Sequence, residues 1–380
     1  MKNIILPLCF LLYAATSFAQ QIPPKDIENS VLGWMKVYNF RGAREPLKVD
    51  AKLYTPAQQS IADSIGNWIQ ASYLPKGGLG DVKRRVSEKL GLYNKNDAAM
   101  PQSYGAVANT YSQLKYNANG KMVPLTSDGI QWSIMANAPL GIPADALCTP
   151  TQYYFTLPSL KEHGYSDENP YIKSLATHPN TKKYPAYVTR NENGMFEIAL
   201  LLYPQNDFPF IKITKGEYLE QIAAAIERNY AIEKEEAVTK WFTDATRANA
   251  RKYADERYQK RISVLKTNKE RYKDRLEETA EIFTKQPDIM LENYPDVFVG
   301  NGGGTLKLPV YKINPVIAER CKIDNPQWLT IFWNGGLNSP VGNHQHESIT
   351  NNFDFDYLYK FCFDPEKVKG QSYKPLRSPR

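Results

Sequence analysis

The chain has only four histidines, and two of them, His344 and His346, are separated by a single residue. On a β-strand, side chains two residues apart point to the same side, so both imidazoles could ligate one divalent metal ion. Nearby carboxylates at Glu347, Asp354 and Asp356 could complete such a site. The surrounding segment has the composition of a loop, however, and two surface histidines are the default interpretation. A divalent metal at His344 and His346 is the sharper hypothesis, and no other cofactor is predicted.

A second candidate site is a run of alternating aromatic residues at 353–363. The rings belong to Phe353, Phe355, Tyr357, Tyr359, Phe361 and Phe363. A period of two predicts a β-strand with all the rings on one face. Tyr357 and Tyr359 could then stack against sugar rings. The preferred alternative is the core face of a half-buried sheet, because so many exposed aromatic residues would form an aggregation-prone patch.

The third candidate is a basic segment. Residues 247–275 contain eleven Lys or Arg against four Asp or Glu. Arg251, Lys252 and Arg261 lie in this segment and could bind an anionic polymer of the cell envelope. The preferred alternative is a solvated helical face with ion pairs between neighbouring turns, because charge runs on long helices usually have that role.

Motifs of known enzymes are missing from the sequence. It contains neither the Gly-x-Ser-x-Gly elbow of α/β-hydrolases nor the His-Glu-x-x-His of zinc peptidases. The glycine-rich residues 300–304 precede Leu306 and Lys307, whereas a phosphate-binding loop requires Gly-Lys followed by Ser or Thr. The sequence therefore does not specify an activity.

Residues 1–19 have the pattern of a secretory signal peptide. Lys2 precedes an apolar run, and small Ser17 and Ala19 follow it at the positions that a signal peptidase requires. We expect cleavage after Ala19 and a secreted or periplasmic protein. No cysteine follows the cut to carry a lipid anchor, and later apolar runs are shorter than the roughly 20 residues that a membrane span needs. Export and a mild formal charge of +7 argue against a nucleic-acid partner.

Three cysteines remain after such a cleavage, namely Cys148, Cys321 and Cys362. An odd number leaves at least one thiol without an internal disulfide. Two alternatives stay open: a disulfide between Cys321 and Cys362, which lie in the same C-terminal region, or three buried free thiols.

The elements that must position these candidates follow changes in composition along the chain. The predicted regions are a mixed α and β region at 20–215, a charged helical segment at 216–287, a β region at 288–366 and a basic disordered tail at 367–380. Local signals support the first region. Thr55 and Gln58 form a capping box around Pro56, which predicts the start of a helix, and Asn119-Gly120 predicts a hairpin turn.

The charged helical segment has neither Gly nor Pro between Gly216 and Pro287. A single straight helix over it would be about 105 Å long at 1.5 Å per residue. Because the apolar positions do not stay in one register, a helical hairpin or two to three consecutive helices are expected, with a turn near Asn249 or near Thr267 and Asn268.

The sequence predicts an α+β fold: a mixed strand and helix head, an inserted charged helical hairpin or rod, and a C-terminal antiparallel β region. The predicted function is that of an exported, non-enzymatic binding or structural protein at the cell envelope, with an envelope polymer or protein as its partner. The alternative is a secreted or periplasmic hydrolase of surface glycan or peptide, with carboxylates or His344 and His346 at its site.

Overall fold

A computed structural model describes residues 21–35, 55–91, 97–144, 147–149, 152–160, 170–192, 195–240, 243–283, 296–299, 307–336 and 338–379. The described strands are β1 (Gln21–Ile22), β2 (Leu79–Gly91), β3 (Asp97–Tyr111), β4 (Leu114–Tyr116), β5 (Met122–Pro124), β6 (Ile130–Ala136), β7 (Ile142–Pro143), β8 (Tyr154–Thr156), β9 (Ala186–Glu192), β10 (Met195–Leu202), β11 (Phe210–Lys212), β12 (Glu281–Phe283), β13 (Lys307–Ile313) and β14 (Leu329–Gly336). The described helices are α1 (Pro24–Ile27), α2 (Pro56–Ser72), α3 (Pro170–Thr177), α4 (Lys215–Thr239), α5 (Asp244–Arg271), α6 (Pro315–Arg320), α7 (Pro340–Asn352) and α8 (Phe355–Phe363).

Helices and antiparallel sheets are both present, which confirms the predicted α+β class. The predicted signal peptide at 1–19 and the glycine-rich residues 300–304 lie outside the described residues. Two local predictions fall inside them and are confirmed. Thr55 and Gln58 form the capping box of α2 with Pro56 at the first turn. Gly120 has a φ of 68° in the turn between β4 and β5, a conformation that glycine adopts without strain.

A six-stranded antiparallel sheet lies at the centre of the fold, in the strand order β2-β3-β6-β14-β10-β9. Strand β10 shows why the sheet has two buried faces. Its Ile198 and Leu200 belong to one hydrophobic cluster, whereas the alternate Ala199 and Leu201 belong to another. Side chains of a strand alternate between faces, so a run of apolar residues without polar interruption produces a strand that is buried on both sides.

Helices cover the first face of the central sheet. Helices α2, α3, α7 and α8 contribute the buried side chains Trp68, Ile172, Ile349 and Leu358 to this helix-side core. The second face packs on a sheet with the order β11-β13-β8-β7, to which β12 is added alongside β13. We call the hydrophobic cluster between the central sheet and this second sheet the sheet-side core. A separate three-stranded sheet, β1-β4-β5, covers a small third cluster near the described N-terminus.

Helices α4 and α5 form an antiparallel pair. Tyr230 of α4 stacks on Tyr258 of α5 with 4.2 Å between the ring centroids. Glu233 of α4 accepts hydrogen bonds from Arg257 and Arg261 of α5, each at 3.1 Å. The start of α4 and the end of α5 contribute to the sheet-side core, which anchors the pair to the rest of the protein.

The position of the turn between these two helices differs from the prediction. Helix α4 ends at Thr239, and the side chain of Thr243 caps α5 by accepting a hydrogen bond from the backbone N–H of Thr246. The predicted turn sites, Asn249 and Thr267 with Asn268, all lie inside α5. The N-cap threonine determines where α5 begins, whereas an asparagine inside a helix is tolerated when its amide finds a partner.

The segment 353–363, predicted to be a strand, is the helix α8. The Asp354 side chain accepts a hydrogen bond from the Tyr357 backbone N–H and so supplies the N-cap. Asp356 lies in the first turn and Lys360 in the last, the charge order that a helix dipole favours. The strand prediction was wrong because Leu358 occupies one of the positions taken as polar, and with Phe355 it completes a helical apolar face.

The C-terminal residues also differ from their prediction as a disordered tail. Tyr373 stacks on Trp68 with 5.1 Å between ring centroids, and its hydroxyl lies 2.6 Å from that of Ser72. Further along, the Leu376 backbone N–H donates to the Asn352 carbonyl at 2.7 Å. Tyr373 therefore attaches the tail to α2, and the hydrogen bond of Leu376 attaches it to the end of α7. The basic composition of the tail gave no sign of these contacts. We call residues 364–379 the C-terminal segment.

The predicted C-terminal β region at 288–366 is mixed as well. Its strand β14 belongs to the central sheet and β13 to the second sheet, and the region also contains the helices α6, α7 and α8. Cys148, Cys321 and Cys362 are free thiols, so the alternative without a disulfide is the one that the structure contains. Among the described helices, none has the length and apolar character that crossing a membrane requires.

Candidate functional site

The two histidines of the predicted metal pair lie on α7 and have different environments. His346 is buried in the helix-side core, where its Nδ1 accepts a hydrogen bond from Trp333 Nε1 at 3.1 Å. Because the indole nitrogen can only donate, the proton of the neutral imidazole is on Nε2, which lies 3.3 Å from Ser174 Oγ and donates to it. The Ser174 hydroxyl in turn donates to the Tyr171 carbonyl at 2.7 Å.

This network keeps His346 neutral. Burial, together with a smaller effect of the nearby His178, lowers the pKa of His346 to about 4. Neither ring nitrogen retains a lone pair for a metal ion, because one accepts the Trp333 N–H and the other carries the proton. The ring is also enclosed by the aromatic side chains of Tyr171 and Phe196. The chemistry of His346 is therefore that of a structural hydrogen-bonding group.

His344 lies on another side of the helix and is half-buried. Its Nε2 donates to the Leu74 carbonyl at 2.9 Å, and its ring lies against Tyr73. Residues two apart on an α-helix are separated by about 200° around its axis, so the strand geometry behind the shared-metal hypothesis is absent. Within the described residues, no group of three or more His, Cys, Asp or Glu side chains is placed to hold a metal ion.

A polar cleft of about 540 Å³ opens beside His344, between α7 and the C-terminal segment. The residues that line it are His344, Glu347, Ser348, Asn351, Asn352, Arg377 and Ser378. The first four recur at the spacing of one helical face, which explains how a single helix supplies most of the wall. We call this feature the α7 cleft. Its volume lies within the range of small-molecule sites, and its lining contains no apolar side chain.

Several side chains of the α7 cleft are held in place by bonds to the surrounding protein. The Asn352 side chain donates to the Ser72 carbonyl at 3.0 Å. Asn351 Oδ1 accepts from His178 Nε2 at 3.3 Å and from Arg377 Nη1 at 3.5 Å. The cleft therefore has a fixed floor of hydrogen-bonded amides.

The remaining candidate residues have mainly structural surroundings. Tyr357 packs against Trp68 and donates its hydroxyl proton to the Gln371 carbonyl, whereas Tyr359 lies on another side of α8 against Tyr184. The helix therefore does not bring Tyr357 and Tyr359 together as a stacking row. Each ring helps to attach α8 to a different neighbour.

The basic candidates on α5 are also dispersed. Arg261 is only 4% exposed and pairs with Glu233 of the neighbouring helix. Lys252 is exposed and lies 3.9 Å from Glu256, one turn further along α5. Arg251 is exposed on the same helix. The charges of α5 thus serve in part to hold α4, whose sequence is rich in glutamate.

The sequence pointed to His344 and to the nearby Glu347 but missed the other members of the α7 cleft. Ser348 and Asn351 follow them at helical spacing, a signal that an assignment of this segment as helix would have revealed. The contribution of Arg377 depends on where the C-terminal segment packs, which no local pattern specifies.

The chain matches no protein-family model, no curated protein and no solved structure.

Proposed function

We propose that the chain is an exported, non-enzymatic binding protein whose α4–α5 pair contacts a protein partner at the cell envelope. The outer part of the pair, residues 229–239 and 244–260, forms a charged helical hairpin that extends the globular head. One observation supports this role most directly. Only Ala237 and Ala254 are buried in that outer part, so it contributes little to the cores that stabilise the fold.

The outer part is held together by its own contacts. The Tyr230 and Tyr258 rings stack on each other, and their hydroxyls donate to Asp255 and Glu227 of the opposite helix. A helix pair that is stabilised by its own contacts and adds little to the hydrophobic cores is suited to offering its exposed surface to a binding partner.

The chemistry of this surface favours a protein over an anionic polymer. Glu233 pairs with both Arg257 and Arg261, and this pairing reduces the positive charge available to a polyanion. Large apolar side chains remain exposed in the same region, with Tyr253 59% and Val238 46% exposed. Exposed tyrosine is typical of the residues that anchor protein interfaces.

Site-specific cross-linking tests this proposal. A photoreactive amino acid at Tyr253 should form an adduct with a defined envelope protein. The matched control places the same group at Val316, which is 68% exposed on α6 of the head, and should not form that adduct. Equal labelling from both positions, or no adduct at Tyr253, would contradict the proposal. Retention on an anionic polymer at moderate salt without a protein adduct would favour the polymer instead.

The second candidate function, an exported hydrolase, is favoured by one feature of the α7 cleft. His344 is oriented by the Leu74 carbonyl through Nε2, which leaves Nδ1 as the acceptor nitrogen of the neutral ring. An imidazole held in this way in a polar cleft could act as a general base. Hydrolysis of envelope peptide or glycan that is abolished by His344→Gln would support the hydrolase and displace the binding role as the primary one.

A further inference from the structure

Two side chains of opposite charge line the α7 cleft without neutralising each other or pairing elsewhere in the described structure. Glu347 is exposed on the wall of the cleft, and among the described residues it forms no ion pair. Arg377 has one described contact, the 3.5 Å hydrogen bond to the Asn351 side-chain oxygen. Other charges of the C-terminal segment do pair, as Lys367 does with Asp364.

The helix determines the spacing of the two charges. Asn351, which receives Arg377, lies one turn beyond Glu347 on the same face of α7. Side chains four residues apart on a helix have about 5–6 Å between their Cβ atoms. The carboxylate and the guanidinium therefore stand at neighbouring positions along the cleft, close enough for one small molecule to contact both.

The groups between and beside these charges are polar and ordered. His344 is fixed by the Leu74 carbonyl, and Asn352 by the Ser72 carbonyl. Ser348 is buried, with its side chain lining the cleft between His344 and Asn352. A site whose walls are already held in place loses little conformational entropy when a ligand binds.

From this arrangement we infer that the α7 cleft binds a free α-amino acid. The ligand's ammonium group donates to the Glu347 carboxylate, and its carboxylate accepts from the Arg377 guanidinium. A simple anion would meet repulsion from Glu347, and a simple cation would meet repulsion from Arg377. A neutral sugar would leave both charges without compensation. The termini of an extended peptide lie farther apart than neighbouring positions on one helical face. This inference is independent of the proposed role of the α4–α5 pair.

Calorimetric titration of the full mature chain with a panel of L- and D-α-amino acids tests the inference. At least one member should bind, and its N-acetylated and C-amidated derivatives should each bind at least about tenfold more weakly, since each lacks one charged hydrogen bond. Absence of binding by every member of the panel would overturn the inference. So would equal affinity for an amino acid and its two blocked derivatives.

Substitutions assign the two charges to their partners. Glu347→Gln should weaken amino-acid binding by about tenfold or more, yet in this variant N-acetylation should cause little further loss, because both changes remove the same interaction. Arg377→Gln should show the same relation to C-amidation. Glu366→Gln and Lys374→Gln are matched controls outside the cleft and should leave the affinity unchanged. Independent, additive losses from the variants and the blocked ligands would contradict the assignment.

Discussion

At the scale of the residue, the histidine pair shows how strongly burial determines chemistry. His344 and His346 lie on the same helix, yet the first opens onto a polar cleft and the second is 2% exposed among aromatic rings. The sequence showed that two imidazoles are close along the chain. Their orientation could not be read from it, because a strand would place them on one side and the actual helix separates them.

The protonation of His346 leads to a prediction about pH. In the folded protein its pKa is about 4, below the roughly 6.5 of an unfolded chain. As the pH falls, the unfolded state therefore takes up a proton before the folded state does, and stability decreases. Between about pH 7.5 and pH 5 this group should cost about 2 kcal/mol of unfolding free energy.

Urea unfolding of the wild type and of His346→Gln over this pH range measures the effect. The variant should be less stable at neutral pH, because the Trp333 N–H loses the geometry of its acceptor, but its stability should fall less on acidification. Parallel pH profiles for the two proteins would show that His346 does not carry this dependence.

At the scale of the element, α8 shows the limits of periodicity. Its aromatic residues alternate at a period of two, but the intervening Leu358 and Cys362 are also apolar. The same sequence therefore also contains a helical apolar face formed by Phe355, Leu358 and Cys362. The Asp354 cap and the terminal charges favour the helix. Sheet pairing would have required a neighbouring strand, whereas the helix satisfies its backbone hydrogen bonds internally.

Removal of the α8 cap tests this assignment. Asp354→Ala should destabilise the protein by about 1 kcal/mol, because the Tyr357 backbone N–H loses its side-chain acceptor. Glu366→Ala, at an exposed acidic position nearby that pairs with Lys369 at the surface, is the control and should change the unfolding free energy by much less. Equal effects of the two substitutions in chemical denaturation would argue against a capping role for Asp354.

The α4–α5 pair gives a second prediction at this scale. Arg257 and Arg261 both bond to Glu233, but Arg257 is exposed and Arg261 is buried. Arg261→Met should destabilise the protein by about 2 kcal/mol because it leaves the partly buried Glu233 with less compensation. Arg257→Met should cost less than about 1 kcal/mol, as surface pairs do. Thermal or urea unfolding measures the stability of both variants. A larger loss of stability for Arg257→Met than for Arg261→Met would contradict the assignment of Arg261 as the buried partner.

At the scale of the whole molecule, local signals in the sequence were sufficient for many elements but not for their assembly. The α2 cap at Thr55, the turn at Gly120 and the α+β class were all predictable from short patterns. The arrangement of strands into sheets was not predictable in this way, because β13 and β14 lie close in sequence and enter different sheets. The α7 cleft also requires the C-terminal segment to pack back across α7, which depends on long-range contacts of Tyr373 and Leu376.

Packing of the C-terminal segment can be tested through Tyr373. Its ring stacks on Trp68, and its hydroxyl contacts Ser72 and accepts from the Asp354 backbone N–H. Tyr373→Ala should cost about 3 kcal/mol of stability, and Tyr373→Phe about 1 kcal/mol. Limited proteolysis should release the segment from the Ala variant first. Resistance of that variant equal to the wild type would mean that the segment is held by other contacts.

The central claim is that the outer part of the α4–α5 pair exists to contact an envelope protein, and one trimmed variant tests it most directly. Residues 235–253 are replaced by a short Gly-Ser linker, which retains the Tyr230–Tyr258 stack and the bonds of Glu233 to Arg257 and Arg261. Recovery of bound protein from the envelope fraction is then compared for the full and trimmed chains. We predict that the trimmed chain keeps its unfolding transition and loses its partner. Partner recovery equal to that of the full chain, by a trimmed protein that remains folded, would contradict the claim.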